Sequence, residues 1–388
     1  MRANITIAYI LAFAKNTWFW LGIWIFYYLR FTNYAGIGLI ETVLIITTTL
    51  AEIPTGAVAD LFGKKKTLIL AFLLEAFGAY MMAFAPNYSV ILWSVFVMCV
   101  GGAFYSGTLD ALVFDSLKSE GKEGKFDKII SNLSSIALIA PAICSIVGGF
   151  VYGFDPRLPF ILNALGYTVG LIASMFLTEP QIDTEKFSFR SFLSQTKYGL
   201  LELFKSVDIK FQTILMLSIG FVVVISSEMV DSFVSFEFGF TDKQMGILWS
   251  VIFVLSAFAS QLTPVINKML GLKKSLFLVG LVMAITFIVS PYIGLILGGV
   301  SLILRSSSQG IFGNLSSIVI NNNTESKFRA TTISTFNMIK NVPYLLTAYF
   351  IGSISDLLSA KIVSLYLGIA LIVLLAISLF RSKRNATI

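Results

Sequence analysis

The chain has 388 residues, 56 % hydrophobic and only 13 % charged, which leaves too little polar surface to coat a water-soluble protein. Its formal charge of +7 comes without a single histidine, so histidine proton relays, Ser-His-Asp triads and histidine-bound zinc are excluded. There is also no G-x-x-x-x-G-K-[ST] phosphate loop, and neither enzyme chemistry, a metal site nor a cofactor is expected.

Crossing hydrocarbon as a helix takes ~20 apolar residues, and windows of that length predict twelve transmembrane helices. They start near Ile5, Ala35, Lys66, Ser89, Phe126, Leu158, Phe211, Lys243, Ser275, Ile293, Phe328 and Lys361. The apolar runs are unbroken and lack a period of two, which argues against a β-barrel. Met1 to Asn4 lead straight into the first span, which is too long for the apolar region of a signal peptide, so no cleavable signal is expected. With the N-terminus inside, 21 of the 28 Lys and Arg fall on cytoplasmic segments, as the retention of basic residues on that side requires. The expectation is a multi-pass protein of the cell membrane with both termini cytoplasmic. The positive charge then reflects topology rather than nucleic-acid binding. Cys99 and Cys144 fall inside spans and read as small core residues.

In chain order, the first span carries Lys15, Asn16 and Trp18 within an aromatic run that continues to Tyr28. Between the second and third spans lies Gly56-Ala57-Val58-Ala59-Asp60-Leu61-Phe62-Gly63-Lys64-Lys65-Lys66-Thr67-Leu68, a turn held at the inner membrane face by three consecutive lysines. This turn resembles the signature loop G-x-L-A-D-R-x-G-R-K-x-x-L of the major facilitator superfamily: Gly56, Ala59, Asp60, Gly63, Lys65 and Leu68 match, and Leu61 stands where the family usually has a basic residue. The resemblance implies a bacterial drug or metabolite exporter-like transporter, all-α, with twelve transmembrane helices in two pseudo-symmetric six-helix bundles. It also implies a gating network at Gly56, Asp60, Gly63, Lys64 and Asp115, where the loop Asp and the basic residue four later join an acidic residue at the end of the fourth helix.

The widest polar gap, from Thr178 to Lys210, divides the chain into an N-terminal bundle at 1–178, a cytoplasmic connector at 179–210 and a C-terminal bundle at 211–388. Within the connector, Phe189, Phe192, Leu193, Leu200, Leu203, Phe204 and Val207 recur at helical spacing opposite Arg190, Gln195, Lys197, Glu202 and Lys205, suggesting an amphipathic helix on the inner leaflet. Sliding the first half by 208 positions lays Gly63, Lys65, Lys66 and Leu68 on Gly271, Lys273, Lys274 and Leu276, and a shift of 202 lays Phe126 and Pro141 on Phe328 and Pro343. A repeat of this kind is expected of transporters that rock two halves about a central site. Gly101-Gly102 and Gly148-Gly149 are small-residue runs that allow close helix packing. Ala140-Pro141 followed by Gly148-Gly149 is similar in part to the G-P-x-x-G-G run of exporters, with a longer spacing and Ala140 at the first glycine.

Ionisable groups inside spans are costly and therefore functional candidates: Lys15, Glu41, Asp110, Glu228, Asp231, Arg305 and Lys340, with Glu52, Glu75 and Asp115 nearer span ends or of uncertain depth. The resemblance implies that helices one, four, seven and ten line the central cavity, where five of the seven fall. One reading is mutual neutralisation, of Lys15 by Glu41 or Asp110 and of Arg305 or Lys340 by Glu228 or Asp231. The other assigns proton exchange to Glu228 and Asp231, three apart on one helical face, with Asp110 next. Lys15, Asn16, Trp18, Glu41, Arg305 and Lys340 are then the substrate-cavity candidates. The expected activity is proton-coupled export of an amphipathic drug or metabolite by a monomer working with a small-molecule substrate, protons and membrane lipid. Two alternatives stand beside it: uptake or exchange of an anionic or zwitterionic solute, and a non-transporting receptor of the same fold.

Overall fold

The computed structural model describes residues 2–180, 189–325 and 329–385, giving the backbone alone for residues 2, 52–62, 189–195, 207–208, 330 and 379–385. Every regular element among them is helical. Contacts divide the chain into two compact units, one of Met1–Thr32, Thr42–Phe189 and Asp242–Ser250, the other of Asn33–Glu41, Arg190–Thr241 and Val251–Ile388.

The first unit contains α1 (Arg2–Lys15), α2 (Trp24–Tyr28), most of α3 (Tyr34–Phe62), α4 (Lys64–Ala83), α5 (Tyr88–Tyr105), α6 (Thr108–Lys118), α7 (Phe126–Tyr152) and α8 (Leu158–Met175). Leu11, Leu68, Phe72, Leu112, Val113 and Tyr167 belong to its core. Gly101 brings α5 against α4: a Cβ there would stand 2.8 Å from the Ala71 carbonyl oxygen. The predicted small-residue run therefore marks a real close approach.

The second unit holds α9 (Phe189–Leu203), α10 (Val207–Ile225), α11 (Asp231–Glu237), most of α12 (Asp242–Gln261), α13 (Thr263–Leu270), α14 (Leu272–Ile288), α15 (Leu295–Asn323), α16 (Arg329–Leu358) and α17 (Ala360–Asn385). Met216, Ile219, Met283, Phe287, Leu315 and Leu371 lie in its core. On α9, Leu203 enters that core and its carbonyl accepts the Thr213 hydroxyl at 2.7 Å, whereas Leu200, Leu201 and Phe204 stay exposed.

Among the described residues, ten helical segments are long and apolar enough to span a membrane. The two remaining predicted spans differ for separate reasons. The eleventh, α16, has the length but carries Thr331, Asn337, Lys340 and Asn341. The first is broken into α1 and α2 by a non-helical stretch from Asn16 to Ile23. Apart from that break, helices begin within four residues of the expected positions. The repeat is visible in the backbone: Gly63 at φ +89° and Gly271 at φ +74° each precede the next helix in a conformation L side chains rarely adopt. Pro141 and Pro343 likewise fall inside the long helices α7 and α16.

Candidate functional site

The break in the first span builds the most developed site. Helix α1 ends at Lys15, and the side chains just beyond it bond back to its last turns: Asn16 Nδ2 donates to the Ala12 carbonyl at 2.8 Å, Thr17 Oγ1 to Ala14 at 2.8 Å and Trp18 Nε1 to Lys15 at 3.1 Å. Carbonyls that the helix leaves without partners are thereby satisfied at membrane depth, where no water would serve them. The unwound strand is accommodated by α7. A Cβ on Gly148 would sit 1.7 Å from the Phe19 carbonyl oxygen, so only glycine fits.

Lys15 occupies the negative end of the α1 dipole and pairs with Glu75 Oε1 from α4. Its ammonium also faces the rings of Tyr105 and Tyr167, at 5.3 and 5.9 Å from their centroids. The expected partners Glu41 and Asp110 are not the ones found. Glu75, at a depth the sequence left open, is 2 % exposed and holds the lysine. The pair borders a cavity of about 350 Å³ with walls from Trp18, Trp20, Tyr28, Met82 and Phe160. Asn163 and Thr48 add polar atoms, and among the described residues Lys15 and Glu75 are the only charged ones on the lining. Cys99 also lines it, while Cys144 is a buried free thiol elsewhere in the first unit. Pockets of this type, mostly apolar with a few convergent polar groups, hold small organic molecules.

A second charge centre lies in the other unit. Arg305 is fully buried; it donates to Asp231 Oδ1 at 2.9 Å, to the Thr286 carbonyl at 2.8 Å, to Ser364 Oγ at 3.1 Å and to Ser290 Oγ, and its guanidinium carbon stands 4.2 Å from the Phe287 ring centre. Asp231 Oδ2 accepts from Gln309 at 3.3 Å, so both carboxylate oxygens are engaged. This is the neutralising pair that one reading of the sequence anticipated.

The shared helical face expected for Glu228 and Asp231 is absent, because residues Ser226–Val230 form a π turn. Asp231 is buried against Arg305, whereas Glu228 is exposed, with Lys340 and Glu41 as its charged neighbours. Glu41 itself is buried and accepts the Tyr344 hydroxyl at 3.1 Å. Asp110 lies exposed in the first turn of α6, just after the left-handed Gly107.

At the loop after α3, Lys64 and Asp115 form a buried ion pair. Gly56 and Asp60 lie in the stretch whose side chains fall outside the described residues. Glu179 is not among the residues that the sequence singles out. Its two oxygens accept the backbone N–H groups of Lys64 and Lys65 at 2.8 and 2.7 Å, capping the positive end of α4. Thr178 beside it is anchored by Asn4, which accepts from the Thr178 N–H at 2.9 Å and donates to its carbonyl at 2.8 Å.

The model of the Major Facilitator Superfamily matches residues 5–348. The chain belongs to that family. Members of the Major Facilitator Superfamily are membrane transporters and not enzymes, and this chain is a multi-span member. Among curated relatives it is 21 % identical to the uncharacterized MFS-type transporter YxaM of Bacillus subtilis, over 59 % of this chain and 57 % of that protein. It is 23 % identical to Multidrug resistance protein 2 of the same organism, over 50 % and 48 %. A shorter match, 25 % identical over 33 % of this chain and 32 % of the relative, is to Quinolone resistance protein NorA of Staphylococcus aureus. The first two matches thus span about half the length of each relative. The fold matches that of the nucleoside transporter NupG, with a TM-score of 0.82 at 16 % identity over 99 % of this chain and 100 % of that one. A POT family transporter in complex with 5-aminolevulinic acid gives 0.73 at 13 % identity, over 98 % and 96 %.

Proposed function

We propose that the chain is a secondary active transporter of the cell membrane that exports a small amphipathic organic solute by alternating access, in exchange for protons. The observation that carries this reading is the broken first helix, which ends on a charged pair inside an apolar cavity of about 350 Å³. Discontinuous helices near the membrane midplane form the substrate sites of many transporters built from repeats, and the cavity here draws its walls from the first unit. The relatives named for multidrug and quinolone resistance support the outward direction. Glu228 is the proton carrier in this reading, since it is exposed whereas both oxygens of Asp231 are occupied. The buried Lys64–Asp115 pair supports a gate at the signature loop, in which Asp60 takes part. Residues 1–178 and 211–388 act as the two moving bundles of a monomer, 179–210 as their connector, and both termini are cytoplasmic, in keeping with the distribution of Lys and Arg.

The test is counterflow by purified protein in liposomes, using a labelled aromatic amine, an aromatic acid and an aromatic amino acid, with and without an imposed pH gradient. Counterflow of at least one solute is expected, together with net movement of that solute against its own gradient when protons flow the opposite way. Absence of counterflow for all of them favours a receptor. Net transport indifferent to the pH gradient removes the proton from the mechanism.

A further inference from the structure

Nine buried side-chain nitrogen or oxygen atoms among the described residues have no hydrogen-bond partner, and four of them belong to residues of one cavity: Trp20 Nε1, Glu75 Oε2, Asn163 Nδ2 and Asn163 Oδ1. Buried polar groups are nearly always satisfied, so a concentration of unpaired ones on the lining of one cavity points to a ligand that completes them. The set is two donors and two acceptors. Beside it stands the Lys15–Glu75 pair, which offers one cation and one anion. We infer that the cavity recognises zwitterionic aromatic solutes, the ligand's carboxylate taking Lys15 with the free donors and its ammonium taking Glu75 with the free acceptors. This rests on the cavity being the transport site proposed above, and names the class of solute it accepts.

Charge bookkeeping decides between solute classes. A solute with only a positive group that engages the free Oε2 of Glu75 shares that carboxylate with Lys15, and two cations then face one anion in apolar surroundings. A solute with only a negative group does the converse at Lys15. In either case a buried charge is stranded, which is worse than leaving the original pair alone. A zwitterion brings both complementary charges, so the site has as many opposite charges after binding as before, and hydrogen-bonding atoms that were idle become paired. A neutral aromatic compound leaves the pair intact but satisfies none of it. The aromatic half of the ligand has its own place, because Trp18, Tyr28 and Phe160 line the same cavity. At about 350 Å³ the cavity is near the lower end of the small-molecule range, which suits a single bicyclic ring with a short charged side arm. Gly102 lies beside the pair, where a Cβ would make an ordinary contact at 3.5 Å with both the Glu75 oxygen and the Lys15 nitrogen.

The experiment is equilibrium binding to the purified full-length protein in lipid nanodiscs, with three probes that share an indole ring: tryptophan, tryptamine and indole-3-propionate. Tryptophan should bind at least about tenfold tighter than either singly charged probe, the ratio expected if each strands one charge in a partly wet cavity. The double variant Lys15→Met with Glu75→Gln strands no charge and should bring the three affinities to within roughly threefold. Tryptamine or indole-3-propionate binding as tightly as tryptophan to the wild type overturns the inference, as does binding of none of the three. Persistence of the preference in the double variant overturns it too. Should that variant not fold, the wild-type ranking decides alone. Counterflow of any probe without the ranking leaves the transport reading standing and this one refuted, whereas the ranking without counterflow does the reverse.

Discussion

Two ion pairs on transmembrane helices meet opposite ends in this chain. Arg305 and Asp231 are enclosed and nearly saturated, with three further acceptors for the guanidinium and a second donor for the carboxylate. Lys15 and Glu75 border a cavity, with one carboxylate oxygen idle and neighbouring polar atoms unpaired. Both pairs neutralise buried charge, but only the second leaves something for a ligand to do. Arg305 Nε is unpaired as well, so it is the cluster of unpaired atoms on a cavity lining, rather than burial or charge, that separates the binding pair from the structural pair here.

The hardest test of that contrast is Arg305→Met, which strands Asp231 and should cost ~3 to 5 kcal/mol, read as loss of the thermal transition in detergent. Loss of ligand binding with an unchanged melting temperature would break the comparison at once. Next is Gly148→Ala, which drives a methyl into the Phe19 carbonyl; about 1 to 3 kcal/mol of destabilisation is expected, with loss of tryptophan binding as the unwound segment shifts. The cavity pair should behave differently from the enclosed one: Glu75→Gln alone should cost roughly 1 to 2 kcal/mol, and adding Lys15→Met should recover most of it, because a neutral pair replaces a stranded charge. Melting temperatures of the three proteins check this, and a double variant no better than the single would show that the pair is not coupled. The smallest effect belongs to Glu228→Gln. At an exposed position it should change stability by less than ~0.5 kcal/mol, yet remove the response to a pH gradient while sparing counterflow.

Hydropathy made the helices legible because a spanning helix must be apolar over its whole length, and their starts are found within four residues of where composition puts them. The same measure was blind to the break at Asn16 to Ile23. Trp18 to Trp24 is apolar apart from Gly22, no proline interrupts it, and the room that the unwound stretch takes is made far along the chain at Gly148. Lys15, Asn16 and Trp18 were recognisable as candidates; Glu75 was undervalued, because nothing local in Leu73-Leu74-Glu75-Ala76 shows that a lysine 60 residues earlier will meet it. Asn163 carries no signal for a related reason, and Trp20 is legible only as part of the aromatic run of the first span: the polar atoms of uncharged side chains inside a span show nothing until their missing partners are seen. Glu179 was hidden in the polar connector, and only the positive φ at Gly63, with N–H groups turned outward, gives it a purpose.

The π turn at Ser226–Val230 has a genetic corollary. Such a turn takes up one more residue than an α turn, and it stands between Glu228 and the lock that Asp231 forms with Arg305. Loss of a single codon inside the turn would turn it into an α turn and leave the residues beyond it close to their present phase, so that Asp231 would still face Arg305. The division of labour between two acids three positions apart thus rests on the wider turn that separates them, which a substitution of either acid leaves in place.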